Sequence, residues 1–156
     1  MTIPPLSLYI HIPWCVRKCP YCDFNSHQIK TTLPEQEYIS TLLLDLNENL
    51  PEYRDIKSIF IGGGTPSVLS VAAISKLLST IQTKFSIKET AEITMEVNPG
   101  IADKLSGFNT AGINRLSLGI QSFNDKFLQS LGRIHGRVEA IQAIKTAQKI
   151  GFNNIN

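Results

Sequence analysis

The sequence predicts an α/β fold of parallel βα units that curve around a polar interior. Three observations carry this. Short β-branched runs alternate with longer stretches of helical period along the 156 residues. Strict alternation of strand and helix argues for parallel units, either a doubly wound sheet or a barrel. Within each expected strand, aliphatic residues alternate with polar or small ones, whereas a parallel sheet covered on both faces reads as a nearly continuous apolar run.

The elements follow in order. SLYIHI (7–12) is a first strand, with Leu8, Ile10 and Ile12 on one face and Ser7, Tyr9 and His11 on the other. A helix is expected from Glu35 to Leu50, with Pro34 suited to its first turn, a stripe of Tyr38, Ile39, Leu42, Leu43 and Leu46, and Pro51 as its stop. SIFIG (58–62) is the second strand. Ser70 suits the N-cap of a second helix, whose Ile74, Leu77, Leu78 and Ile81 recur at helical spacing.

EITMEV (92–97) is a third strand, closed by Asn98, Pro99 and Gly100. A short helix over Ala102 to Ala111 leads to RLSLGI (115–120), the fourth strand. The last helix, from Gly136 to Ile150, carries Val138, Ile141, Ile144 and Ala147 at one helical spacing, and Gly151 suits its C-cap. Residues 152–156 read as a fifth strand just beginning. Helices are expected on the aliphatic face of the sheet. Leaving the polar face dry and unpartnered would cost roughly 1 to 3 kcal/mol per group, so that interior is expected to be wet or to hold a polar ligand.

Composition excludes more than it identifies. Fifteen Lys and Arg against thirteen Asp and Glu, scattered along a chain that is 42% hydrophobic, indicate neither a polybasic nucleic-acid face nor an acidic tail. The N-terminus lacks a signal-peptide pattern and no apolar run approaches the ~20 residues of a membrane span, so a cytoplasmic location is expected.

The three cysteines, Cys15, Cys19 and Cys22, are the only ones in the sequence, which excludes a disulfide framework and leaves a metal or redox site. Their CxxxCxxC spacing follows the first strand, at the end where βα folds build their sites. A structural zinc normally has four protein ligands, whereas three thiolates on a four-iron cubane leave one iron open. Zinc with His11 or His27 as fourth ligand stays open as an alternative, as do a surface thiol group with no metal and His11 merely hydrogen-bonded to its neighbours. GGGTP (62–66) exposes backbone that a ligand can approach, although a tight βα turn explains it as well. Glu96 and Gln121 end the third and fourth strands on the polar faces. Charge alone does not single out Arg133.

YIHIPWCVRKCPYC, GGGTP, MEVNPG, NRLSLGIQSFND and LGRIHGR resemble, in this order, the radical S-adenosylmethionine (SAM) enzymes related to oxygen-independent coproporphyrinogen III oxidase, and among them the heme chaperone branch. The resemblance implies a partial (β/α)6 barrel with a C-terminal domain. Residues 1–156 then correspond to the N-terminal portion, about four βα units. It implies a [4Fe-4S] cluster held by Cys15, Cys19 and Cys22, with SAM on the open iron. The reduced cluster would cleave SAM to methionine and a 5′-deoxyadenosyl radical. Tyr9, Gly63 and Glu96 match SAM-contacting positions of the oxidase, and Tyr21 an aromatic position between the second and third cysteines. Gly64, Thr65, Gln121 and Arg133 match contacts to a second SAM.

The oxidase has a fourth cysteine two positions after the third. Asp23 and Phe24 occupy that stretch here, as in the chaperone branch. What the resemblance implies is a chaperone that binds heme and passes it to respiratory acceptor proteins, with peripheral membrane association and a homodimer as expected features and no nucleic-acid partner. Coproporphyrinogen III oxidation is the alternative activity. A heme-binding module with a structural or regulatory cluster is the alternative from another class.

Overall fold

A computed structural model describes residues 4–49 and 54–156. Its elements are β1 (Leu6–Ile12), β2 (Trp14–Cys15), β3 (His27–Gln28), α1 (Glu35–Asn49), β4 (Ile56–Gly63), α2 (Val71–Lys84), β5 (Ile87–Val97), α3 (Ala102–Thr110), β6 (Arg115–Leu118), α4 (Asp125–Ser130) and α5 (Arg137–Ile150).

The main sheet has the order β1-β4-β5-β6, with every pair parallel. Crossovers between parallel strands are right-handed as a rule, so strands laid down in one direction put all their helices on one face. This is the barrel-like winding that the alternating strands predict. A doubly wound sheet would reverse direction. The beginning fifth strand is also there. Ile155 bridges Leu116 in parallel, and the Asn156 and Leu118 N–H groups complete the pairing.

The aliphatic face is the core. Ile10, Ile12, Ile59, Ile61, Ile93, Met95, Leu116 and Leu118 pack with Ile39 of α1, Leu77, Leu78 and Ile81 of α2, Leu105 and Phe108 of α3 and Ala147 of α5. Ser70 caps α2 by accepting from the Ala73 N–H at 3.1 Å, as its position predicts. The same residue is gripped by Glu35, which accepts from its N–H and its hydroxyl at 3.0 and 2.6 Å and so ties the starts of α1 and α2 together.

Several elements differ from the expectation. β5 starts at Ile87 rather than Glu92 and absorbs an irregularity against β4. β6 stops at Leu118, because residues 119–122 turn sharply. In α5 the buried stripe is Ala140, Ala143 and Ala147, while Val138 points outward and is 79% exposed. Small residues are buried along α5, which packs closely against α3. The short α4 and the β2–β3 pair were not expected. The ends assigned to Leu50 and Pro51 lie outside the described residues.

The polar face is open rather than sealed. Tyr9 stacks on Phe60 with centroids 6.1 Å apart, the Ser58 hydroxyl donates to Ser7 at 2.9 Å, and Arg115 pairs with Glu92 at 3.0 Å. Neighbouring strands satisfy these groups across the face, which answers much of the burial cost raised by the sequence.

Candidate functional site

At the C-terminal ends of the strands lies a cavity of about 210 Å³, lined by residues from four successive segments of chain. The first is the cysteine loop. β2 and β3 pair in parallel, Trp14 with His27 and Cys15 with Gln28, and so clamp both ends of residues 16–26. Inside the loop the Cys22 N–H bonds the Cys19 carbonyl at 3.1 Å, and the Lys18 ammonium reaches back to the Phe24 and Ser26 carbonyls. Cys15 is buried, and Cys19 and Cys22 are partly so. All three line the cavity, with Tyr21 and Phe24.

The second segment is the glycine turn after β4. The Gly64 and Thr65 N–H groups bond the Ile12 and Trp14 carbonyls, each at 2.7 Å, and this fastens the turn to the base of the cysteine loop. Gly63 has φ +110, and a Cβ there would stand 2.5 Å from the His11 ring. At Gly64 a Cβ would meet the Trp14 carbonyl oxygen at 2.6 Å. The glycines therefore serve close packing of turn on loop as well as access for a ligand.

The third is the end of β5. Glu96 accepts from the Gly63 N–H at 3.1 Å. Burial pushes its carboxyl above the usual carboxylate range, and the Gly63 bond and nearby His11 only partly oppose this. Asn98 donates to Thr65 Oγ1 at 3.3 Å and accepts from Arg133 Nη2 at 2.7 Å.

The fourth runs from β6 to α5. Arg133 also bonds the Gly119 carbonyl through Nη2 and the Cys19 sulfur through Nη1, at 3.4 Å for the latter. Its Nε is buried without a partner. Gln121, in the lining, has φ +71, and the Ser122 N–H closes a three-residue turn onto the Ile120 carbonyl at 2.9 Å. That is the rare and strained form of γ-turn. His135, 6% exposed, donates from Nε2 to the same carbonyl at 3.1 Å and keeps a buried, unpartnered Nδ1.

Ten of the eleven expected residues thus surround one cavity: Cys15, Cys19, Cys22, Tyr21, Gly63, Gly64, Thr65, Glu96, Gln121 and Arg133. Tyr9 does not line it. Its hydroxyl donates to His11 Nδ1 at 3.1 Å, and burial, then the Glu96 carboxylate, raise its pKa. His11 in turn donates from Nε2 to the Asn25 carbonyl at 2.8 Å. A carbonyl only accepts, so Nδ1 is the acceptor and both ring nitrogens are engaged. This is the hydrogen-bonded reading of His11, and it leaves no nitrogen free for a metal. The exposed His27 sits on β3, at the outer clamp of the loop.

Sequence reasoning missed Asn98 and His135. Asn98 reads in the sequence as strand closure before Pro99 and Gly100, and that turn pattern hid its role. The signal for His135 is its place two residues after Arg133, in the same loop between α4 and α5. Among the described residues no three His, Cys, Asp or Glu side chains converge closely enough to hold one metal ion, and no helix is long and apolar enough to cross a membrane.

Comparison with known proteins places this arrangement. The chain is 52% identical to the heme chaperone HemW of Haemophilus influenzae and 51% identical to that of Escherichia coli, in both cases over 99% of this chain and 42% of the relative. It therefore spans about two fifths of the length of the curated relatives it matches. Coproporphyrinogen III oxidase (HemN) from Escherichia coli, a radical SAM enzyme, superposes with a TM-score of 0.88 at 32% identity, over 97% of this chain and 36% of that one. The FeFe-hydrogenase maturase HydG from Carboxydothermus hydrogenoformans shares the fold, with a TM-score of 0.61 at 15% identity over 97% of this chain and 35% of that one. The Radical SAM superfamily matches residues 9–156, from β1 through the last strand, and the chain belongs to that superfamily.

Proposed function

We propose that the protein is a heme chaperone of the radical SAM superfamily, binding a [4Fe-4S] cluster through Cys15, Cys19 and Cys22 and SAM beside it. The observation that carries this reading is the single cavity at the strand ends, lined by all three thiols together with Gly63, Gly64, Thr65, Glu96 and Arg133. The donor set fits. Three thiols that line one cavity are the kind of donor set an iron–sulfur cluster takes. The buried, unpartnered Arg133 Nε suits an anionic ligand group such as the SAM carboxylate. When bound, the cluster supplies the electron for reductive cleavage of SAM.

The chain's own residues do the positioning. The β2–β3 clamp holds the ends of the cysteine loop, Glu96 offers an acceptor beside the glycine turn, and the strained turn places Gln121 in the cavity lining. The chaperone reading over the oxidase reading is supported by Asp23 and Phe24 in place of a further cysteine, and by the higher identity to heme chaperones than to the oxidase. The proposed cargo is heme, and the proposed acceptors are respiratory heme proteins.

The test is anaerobic reconstitution of the full chain with iron and sulfide. A broad visible absorption is expected, lost in Cys19→Ala, with 5′-deoxyadenosine formed on adding dithionite and SAM. Stoichiometric four-coordinate zinc in place of the cluster would overturn the cluster reading. Turnover of coproporphyrinogen III, rather than binding of heme, would move the assignment to the oxidase.

A further inference from the structure

We infer that Arg133 is a redox-tuning residue, locked by Asn98 and Gly119 so that its Nη1–H bonds the Cys19 sulfur and raises the reduction potential of the cluster. This rests on the cluster reading above. The guanidinium is fixed at three points: Asn98 Oδ1 at 2.7 Å, the Gly119 carbonyl, and Cys19 Sγ at 3.4 Å. Asn98 is itself oriented, since its amide nitrogen donates to Thr65 Oγ1 and so turns its oxygen toward the arginine.

Gly119 completes the lock by what it lacks. A Cβ at that position would lie 2.5 Å from Asn98 Oδ1 and 3.2 Å from Arg133 Nη2, so a side chain there would break the grip. The backbone of Arg133 is held as well, its N–H bonding the Leu128 carbonyl at the end of α4 at 2.9 Å.

Among the described residues, Arg133 is the one cation hydrogen-bonded to a cysteine sulfur. Lys18, inside the cysteine loop, spends its ammonium on the Phe24 and Ser26 carbonyls instead. An N–H···S bond and a nearby positive charge favour the more negative, reduced state of an iron–sulfur cluster, and hydrogen bonds to the sulfurs are a principal lever on its potential. A guanidinium does not lose its proton, so this lever holds across the working pH range.

The experiment compares the full chain as wild type, Arg133→Met, Arg133→Lys and Asn98→Ala, each reconstituted anaerobically. Iron and sulfide content are measured first, then the cluster midpoint by EPR-monitored redox titration. With full loading, Arg133→Met is expected to shift the midpoint to more negative potential. Arg133→Lys, which keeps charge but loses the fork, should shift it less, and Asn98→Ala should shift it in the same direction. A loaded Arg133→Met at the wild-type potential overturns the inference. Should Arg133→Met fail to load, unchanged potentials in both Arg133→Lys and Asn98→Ala overturn it equally. A wild type that takes up no cluster would instead refute the underlying reading, so the two failures are distinct.

Discussion

Gly64→Ala tests how tightly the glycine turn is fastened to the cysteine loop. The added methyl would stand 2.6 Å from the Trp14 carbonyl oxygen, 2.9 Å from its carbon and 3.0 Å from the Ile12 oxygen. All three are backbone atoms, so no side chain can swing away, and the turn itself must move. Movement strains or breaks the two 2.7 Å bonds from Gly64 and Thr65 to β1 and β2. Two hydrogen bonds at about 1 kcal/mol each, plus a backbone shift at the lower end of the ~1 to 3 kcal/mol seen for overpacking, give a loss of about 2 to 4 kcal/mol. At roughly 2 to 4 °C per kcal/mol for a chain of this size, Tm should fall by roughly 4 to 16 °C. The chain's one tryptophan, Trp14, packs edge-on against Tyr38 with centroids 4.5 Å apart, so urea unfolding followed by its fluorescence reads the damaged region directly. Gly100→Ala is the control. It has φ +100 but nothing within 4 Å, so only conformational strain of about 1 to 2 kcal/mol is expected. A Gly64→Ala protein within about 0.5 kcal/mol of wild type, or no less stable than Gly100→Ala, refutes the fastening argument.

Two further predictions concern titratable groups, the half-buried Glu96 and the buried His135, and their signs are opposite. Burial raises the Glu96 carboxyl, so the folded cofactor-free protein holds a proton that the unfolded chain has released, and stability falls as pH rises from about 4 upward through the raised value. Glu96→Gln, whose amide oxygen still accepts from Gly63, should remove that slope in denaturation measured from pH ~4 to ~8, and an unchanged slope would count against it. Burial lowers His135 first, with Arg133 adding to it, while its bond to Ile120 and Glu139 oppose. Its contribution is present above about pH 6.5 and is lost as pH falls from there through the lowered folded value. His135→Gln should flatten this acid-side loss. His135→Ala should in addition leave the Gln121 turn unsupported, weakening SAM binding by more than the Gln variant does. Equal SAM affinity for the two would remove the turn-holding role.

The fold was legible because its signals are periodic. Ile10 and Ile12, Ile59 and Ile61, and Leu116 and Leu118 alternate with polar residues, and that alternation separated a one-sided sheet from a covered one. The helices α1, α2 and α5 are each 14 or 15 residues, long enough to show a stripe. The six-residue α4 is not. It buries Leu128, and its clearest sign was Asn124, whose side chain caps it by accepting from the Lys126 N–H at 3.0 Å. Val138 misled because an apolar residue in the first turn of α5 fits the helical period yet stays exposed. In the site, the cysteines and glycines declared themselves by spacing. Arg133 and Asn98 could not, since their partners lie 114 and 33 residues away in sequence and only the closed fold brings them together.

The strand order has a consequence for how the protein is made. Each new strand adds beside the previous one, β4 on β1, β5 on β4, β6 on β5, so every βα unit can dock as soon as it leaves the ribosome. Cys19 leaves the ribosome 114 residues ahead of the arginine that bonds it. At translation speeds of roughly 5 to 20 residues per second, the thiols wait on the order of 6 to 23 seconds with an unfinished cavity around them. During that interval the loop clamped by β2 and β3 lacks the Arg133 side of its cavity wall. Ribosome-held chains that end before Asn98 and Arg133 should therefore expose Cys19 to alkylation more than the finished fold does.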